Sequence, residues 1–127
     1  MVKDLREYPI ELLVQLCHDS GISNEKFNDF MFHHSNGDGF AMADLTEQNC
    51  LSFIAVDFRH CPLITHIAGI GHPACMEAVS AAEDYLRSLG YLEVQFIPTQ
   101  SAGELGERLK EAGYTCSRRG RFYKALL

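Results

Sequence analysis

The feature that most constrains this chain is a change of hydrophobic period near Ala74. Upstream of it, Phe40 to Asp44, Leu51 to Arg59 and Leu63 to Gly69 are rich in Phe, Ile and Val and read as strands. Short polar links, Thr46-Glu47-Gln48-Asn49 and His60-Cys61-Pro62, join them. Links of that length favour antiparallel neighbours, so the segment predicts a meander. Downstream, Cys75, Val79, Ala82, Leu86 and Leu89 share one stripe at helical spacing, while Glu77, Glu83, Asp84 and Arg87 occupy the other. Gly90 ends that helix, and Leu92 to Phe96 alternates as a strand before Pro98. A strand, a long helix and a strand make a crossover, so Leu63–Gly69 is expected to run parallel to Leu92–Phe96. The chain must therefore build a mixed sheet.

The remaining segments supply its layers. After Pro9, the residues Leu12, Leu13, Leu16 and Cys17 recur at helical spacing until Gly21. Ser23 is an N-cap for a second helix carrying Phe27, Phe30 and Met31, which dies in the turn Ser35-Asn36-Gly37-Asp38-Gly39. Ser101 to Ala112 reads as a helix stopped by Gly113, and Tyr114 to Leu127 as a final strand on which Phe122 and Tyr123 point to opposite faces. The order predicts an α/β fold, a β-meander followed by β-α-β-α-β, with helices on both faces of the sheet. At 127 residues, it is expected to form a single domain over 1–127.

Composition narrows the function classes. Seventeen acidic against eleven basic side chains, a formal charge of -6, argue against a general phosphate-backbone binder, and no nucleic-acid partner is expected. The one basic cluster, Arg118, Arg119, Arg121 and Lys124, reads either as edge-strand protection or as a local anion site. Five cysteines without close-spaced pairs are read as reduced thiols, mostly buried, with no disulfide. His60-Cys61 with His72 and Cys75 could be drawn as a zinc site, but paired C-x-x-C spacing is missing and no metal is predicted. The first residues, MVKDLREYPIELLVQL, do not read as a signal peptide, and no segment has the apolar length of a membrane span, so a reducing, aqueous, cytoplasmic setting is expected.

The order of elements, together with LRSLGYLEV and LKEAGYTCSRRGRFYKAL, resembles the GNAT superfamily of N-acetyltransferases. The likeness is carried most by the second half of the chain. It implies a sheet that splays after its fourth strand, with acetyl-CoA laid along that strand and its pyrophosphate on amides at the start of the following helix. The matching strand is Leu63–Gly69, and the implied coenzyme-binding residues are Ile67, Gly69, Gly71, His72, Ala74, Cys75 and Met76. The family's loop pattern (Arg or Gln, two residues, Gly, any residue, Gly or Ala) falls on Ile70-Gly71-His72-Pro73-Ala74-Cys75, where only Gly71 and the small Ala74 and Cys75 resemble it. Pro73 deletes an amide there. In a second register the helix begins at Pro73 and leaves the amides of Ala74, Cys75 and Met76 open.

The implied activity is transfer of an acetyl group from acetyl-CoA to an amine of a small molecule or a protein. His66, mid-strand, stands where the family places a base, and its ordinary pKa suits that role, although a partly buried histidine bonded to the backbone is the blander reading. The family's tyrosine acid would fall on Leu109, and the nearest replacements are Tyr114, Tyr123 and Cys116, of which Tyr123 is taken as the candidate catalytic partner of His66. Cys75 reads as a small core residue rather than a nucleophile. The competing expectation is a non-catalytic GNAT-fold scaffold, such as a phage virion or assembly component, with protein partners or copies of itself. A third is a small-ligand binding domain at the splayed strands.

Overall fold

The computed structural model describes residues 1–19, 23–98 and 103–127. Gly21 and Ser101, predicted to bound two helices, lie outside them, as do the side chains of Cys17 and Phe30. The elements run β1 (Lys3–Asp4), a 3-10 turn, α1 (Ile10–Asp19), α2 (Asn24–Ser35), β2 (Gly39–Leu45), β3 (Cys50–Asp57), β4 (Leu63–Gly69), α3 (His72–Ser88), β5 (Glu93–Phe96), α4 (Gly103–Glu111), β6 (Thr115–Cys116) and β7 (Phe122–Ala125). They form one seven-stranded sheet in the order β1-β2-β3-β4-β5-β7-β6. β2, β3 and β4 are the expected antiparallel meander, and β4 pairs with β5 in parallel.

Alternation along the strands divides two cores. Phe40, Ile54, Val56, Ile64, Val94 and Phe122 face α3 and α4, where Val79, Ala82, Leu86 and Leu109 meet them. Ala41, Ala43, Phe53 and Ala55 face the other way, under Leu13 and Leu16 of α1 and Phe27 and Met31 of α2. The small alanines on that face let α1 and α2 approach closely. Tyr8 pins the N-terminal segment to β2, its hydroxyl donating to the Ala43 carbonyl at 2.9 Å and accepting from the Leu45 amide at 3.0 Å. Ser23 caps α2 as expected, its side chain accepting from the Lys26 amide at 3.1 Å.

The two G-Y pairs act as mechanical switches from helix to strand. At the end of α3, the Tyr91 amide returns to the Leu86 carbonyl and the Gly90 amide to Arg87, with Gly90 at φ 89°. At the end of α4, Tyr114 returns to Leu109 and Gly113 to Lys110, with Gly113 at φ 101°. Both are Schellman caps that need the left-handed region glycine occupies without strain. The C-terminal segment differs from the single strand expected. Gly120, at φ 81°, helps fold Ser117 to Arg121 into a turn, so β6 doubles back on β7. Arg118, Arg119 and Arg121 belong to this turn region, while Lys124 leaves the cluster for Glu83. Among the described residues no helix is long and apolar enough to cross a membrane.

Candidate active site at the open edge of β4

β4 and β5 share only two register pairs, Leu63 with Gln95 and Ile64 with Phe96. Beyond them β4 continues to Gly69, while β5 stops at Phe96, ahead of Pro98. Val56 faces Ile64 and Ala55 faces His66, so Thr65 is an extra residue, a bulge that bends β4 where β5 leaves it. The Ile70 amide bonds the Leu51 carbonyl at 3.0 Å, and these two residues are directly opposed when the β3–β4 register is extended. Strand alternation then turns the amides of Ala68 and His66 toward β3 and those of Ile67 and Gly69 toward the open edge.

That edge leads straight to the start of α3. A Cβ on Gly69 would lie 2.9 Å from Cys75 Sγ and 3.0 Å from its amide nitrogen, so a glycine there lets the helix seat on the strand end. The helix opens one residue earlier than the Pro73 register expects. The Cys75 amide is taken by the Gly71 carbonyl at 3.1 Å, and that of Met76 lies inside the helix ladder. The amides without a partner among the described residues are those of Gly71, His72 and Ala74. Cys75 is buried and burial pushes its thiol pKa up, which fits a packing residue. The His72 ring meets Glu104 of α4 at 3.1 Å, and Arg108 reaches the same carboxylate at 3.7 Å. Asp44, Leu51, Ile70, Pro73 and Glu77 complete a cavity of about 430 Å³ around this helix start.

His66 stands on the α1–α2 face, half-buried, in a smaller cavity of about 220 Å³ with Lys26, Asp29, Asp57, Arg59 and Thr65. Thr65 Oγ1 donates its single proton to the Ala55 carbonyl at 3.3 Å, so at 3.3 Å it accepts from His66 Nδ1. This places the lone pair of the neutral ring on Nε2. Burial and, second, the charge of Lys26 hold the His66 pKa below its ordinary 6.5, so the ring is neutral at pH 7. Titrating the ring by NMR should therefore give a midpoint below 6.5, and Lys26→Met should raise it by removing the cation. An unmoved midpoint would show that the Lys26 charge does not reach the ring.

Tyr123 is not brought into this cavity. It pairs across the strands with Gln95 and Thr115, is 40% exposed, and lines a separate hollow with Leu92, Glu93, Gly113 and Lys124. Tyr114 is buried, its hydroxyl donating to Glu83 Oε2 at 2.7 Å. Leu109 is fully buried in the core, and the Cys116 thiol turns to the Ser117 carbonyl at 3.4 Å. The sequence reading missed Lys26, Asp29 and Thr65. The i, i+3 spacing of Lys26 and Asp29 was a usable signal that they share a helix face; the bulge at Thr65 had none.

No family model and no curated relative matches the sequence. Solved structures do match over the whole chain. An aminoglycoside 6'-acetyltransferase type Ii superposes with a TM-score of 0.73 at 12% identity, covering 100% of this chain and 97% of the other. An acetyltransferase of the GNAT family from Staphylococcus aureus Mu50 gives 0.73 at 11% identity, covering 100% and 99%. The PaiA N-acetyltransferase from Thermoplasma acidophilum, solved in complex with coenzyme A, gives 0.69 at 13% identity and 98% of each chain. The fold is that of the GNAT N-acetyltransferases.

Proposed function

We propose that this chain is an N-acetyltransferase that takes acetyl-CoA at the open edge of β4 and an amine at His66. The observation that carries the reading is the one-sided pairing of this part of β4 among the described residues: a strand edge with outward-turned amides at Ile67 and Gly69 runs into a helix start with open amides at Gly71, His72 and Ala74. The first set suits the amide-bearing pantetheine arm, the second a phosphate at a helix N-terminus. Asp44, Glu77 and Glu104 near the helix start oppose the phosphate charge, which predicts modest affinity.

The coenzyme supplies an activated thioester carbonyl. His66 Nε2 accepts a proton from the acceptor nitrogen, a step its neutral state at pH 7 permits. The acceptor nitrogen bonds the carbonyl carbon and displaces the sulfur, which takes its proton from water at the open mouth. Tyr114 has no part in that protonation, because burial and then the Glu83 charge push its pKa far above the usual tyrosine range. Tyr123 lies outside the His66 cavity and is assigned no step.

Titration calorimetry with acetyl-CoA and CoA tests the reading, and Gly71→Val is its site-specific control. A Cβ at Gly71 meets only Pro73 Cδ, at 3.7 Å, and its φ of 179° is ordinary extended backbone, so the fold should tolerate valine. The branched side chain would crowd a phosphate approaching the amides and should weaken binding by about tenfold or more, roughly 1.4 kcal/mol. Absence of binding to the wild type would remove the acetyltransferase reading and leave a non-catalytic fold. Equal binding by the variant would remove the phosphate site.

A further inference from the structure

We propose that the acceptor is a small amino acid, its carboxylate on Lys26 and its amine at His66; this rests on the acetyltransferase reading. The His66 cavity, about 220 Å³, is smaller than the range of about 300–1,000 Å³ usual for drug-sized ligands, which limits the acceptor to a few heavy atoms beyond its amine. Its charges are balanced and only partly satisfied. Arg59 is held by Asp57, through Nε at 3.2 and 3.0 Å from the two carboxylate oxygens and through its own amide at 2.9 Å. That pair neutralises itself at one end of the cavity.

Lys26 and Asp29 remain. They lie three residues apart on α2, share one face, and neither forms an ion pair among the described residues. The Lys26 charge is felt at the His66 ring, so a group bound at His66 also feels the ammonium. A simple amine would bring no anion to Lys26, and a dicarboxylate would meet Asp29. A molecule with one carboxylate beside one amine satisfies both: Lys26 takes the carboxylate, Asp29 draws in the ammonium form, and His66 receives the proton that must leave before nitrogen attacks. The transfer balances. One N–C bond forms as the C–S bond of acetyl-CoA breaks. The ammonium nitrogen gives up two protons, the first through His66 to water before attack and the second to water as the amide forms. The departing thiolate takes one proton from water, so one proton is released overall.

The test is NMR titration of the His66 ring, assigned by its loss in His66→Gln, with alanine, alaninamide and ethylamine in the presence of CoA. Alanine should shift the ring with at least tenfold higher affinity than either analogue. Lys26→Met should abolish that preference, and Lys26→Arg should keep it. Equal binding of ethylamine or alaninamide, no response to alanine, or an unchanged preference in Lys26→Met would overturn the proposal. Calorimetry of CoA on the same sample separates the two failures. Coenzyme binding without an alanine response removes the acceptor class alone, whereas an alanine response without coenzyme binding removes the acetyltransferase reading and leaves an amino-acid site.

Discussion

Replacing Glu83 with alanine should cost about 3 kcal/mol of folding stability, near the lower end of the range for removing one partner of a buried ion pair. Glu83 sits on α3 at 5% exposure and joins three parts of the fold. Its Oε2 accepts from the Tyr114 hydroxyl at 2.7 Å, just past α4, and its Oε1 accepts from Lys124 Nζ of β7 at 3.0 Å. Arg87, 3.8 Å away on the same helix, also donates to the Leu126 carbonyl at 3.0 Å. Alanine would leave a buried hydroxyl and a mostly buried ammonium without their acceptor. The loss should fall short of the full range because the Lys124 side chain keeps 19% exposure and lies 5.5 Å from the Tyr114 ring centre. A lower urea midpoint at unchanged slope is the measurement, and a loss under about 1 kcal/mol would show that the pair is surface-like.

The same network has a pH signature. Burial, then the Glu83 charge and hydrogen bond, raises the Tyr114 pKa above its ordinary 10.0. A raised folded-state pKa contributes stability that is present below the unfolded value and is lost as pH climbs beyond it. Stability should therefore fall above about pH 10, by up to about 1.4 kcal/mol per pH unit for this group, and Tyr114→Phe should remove that part of the slope.

The route of the chain was legible wherever the cause is local. Richness in Phe, Ile and Val beside short polar links placed the meander strands, β4 among them, and Gly90 and Gly113 marked the ends of α3 and α4 because left-handed caps are written in one residue. Ser23 marked the start of α2 for a similar reason. What was not legible depends on residues far apart in sequence. Glu83 read as a polar-stripe residue because its partner Lys124 is 41 positions away. Lys124 in turn read as part of an arginine cluster. Gly120 was visible, but a glycine alone does not say that β6 and β7 will pair across it.

In the site, His66 could be named because the resemblance implies a base on that strand, but its tautomer could not. That follows from the bulge at Thr65, which lets one hydroxyl serve both the Ala55 carbonyl and the ring. The start of α3 was expected one position too late, and its open amides at Ala74, Cys75 and Met76, because Pro73 is so good a first-turn residue. The helix instead begins at His72 and spends the Cys75 amide on Gly71.

Removing the His66 imidazole should lower turnover by about 10²- to 10⁴-fold while leaving coenzyme affinity within about twofold, because a general base acts on the acceptor and not on the pantetheine path. The separation follows from β4 itself. Ile67 and Gly69 turn their amides to the open edge, whereas His66 bonds toward β3 and projects its ring into the cavity under α2. Alanine at position 66 leaves those strand amides in place, so calorimetry on the variant should still report the coenzyme. The pH profile distinguishes chemistry from packing. With His66 present, kcat/KM should decline on the acid side only below pH 6.5, since burial and Lys26 keep the ring neutral down to that region. In His66→Ala that limb should vanish, and the residual rate should rise with pH as the acceptor amine deprotonates in solution. A variant that keeps turnover within about threefold, or retains the acid limb, would assign the base to another group and return His66 to the role of a half-buried strand histidine.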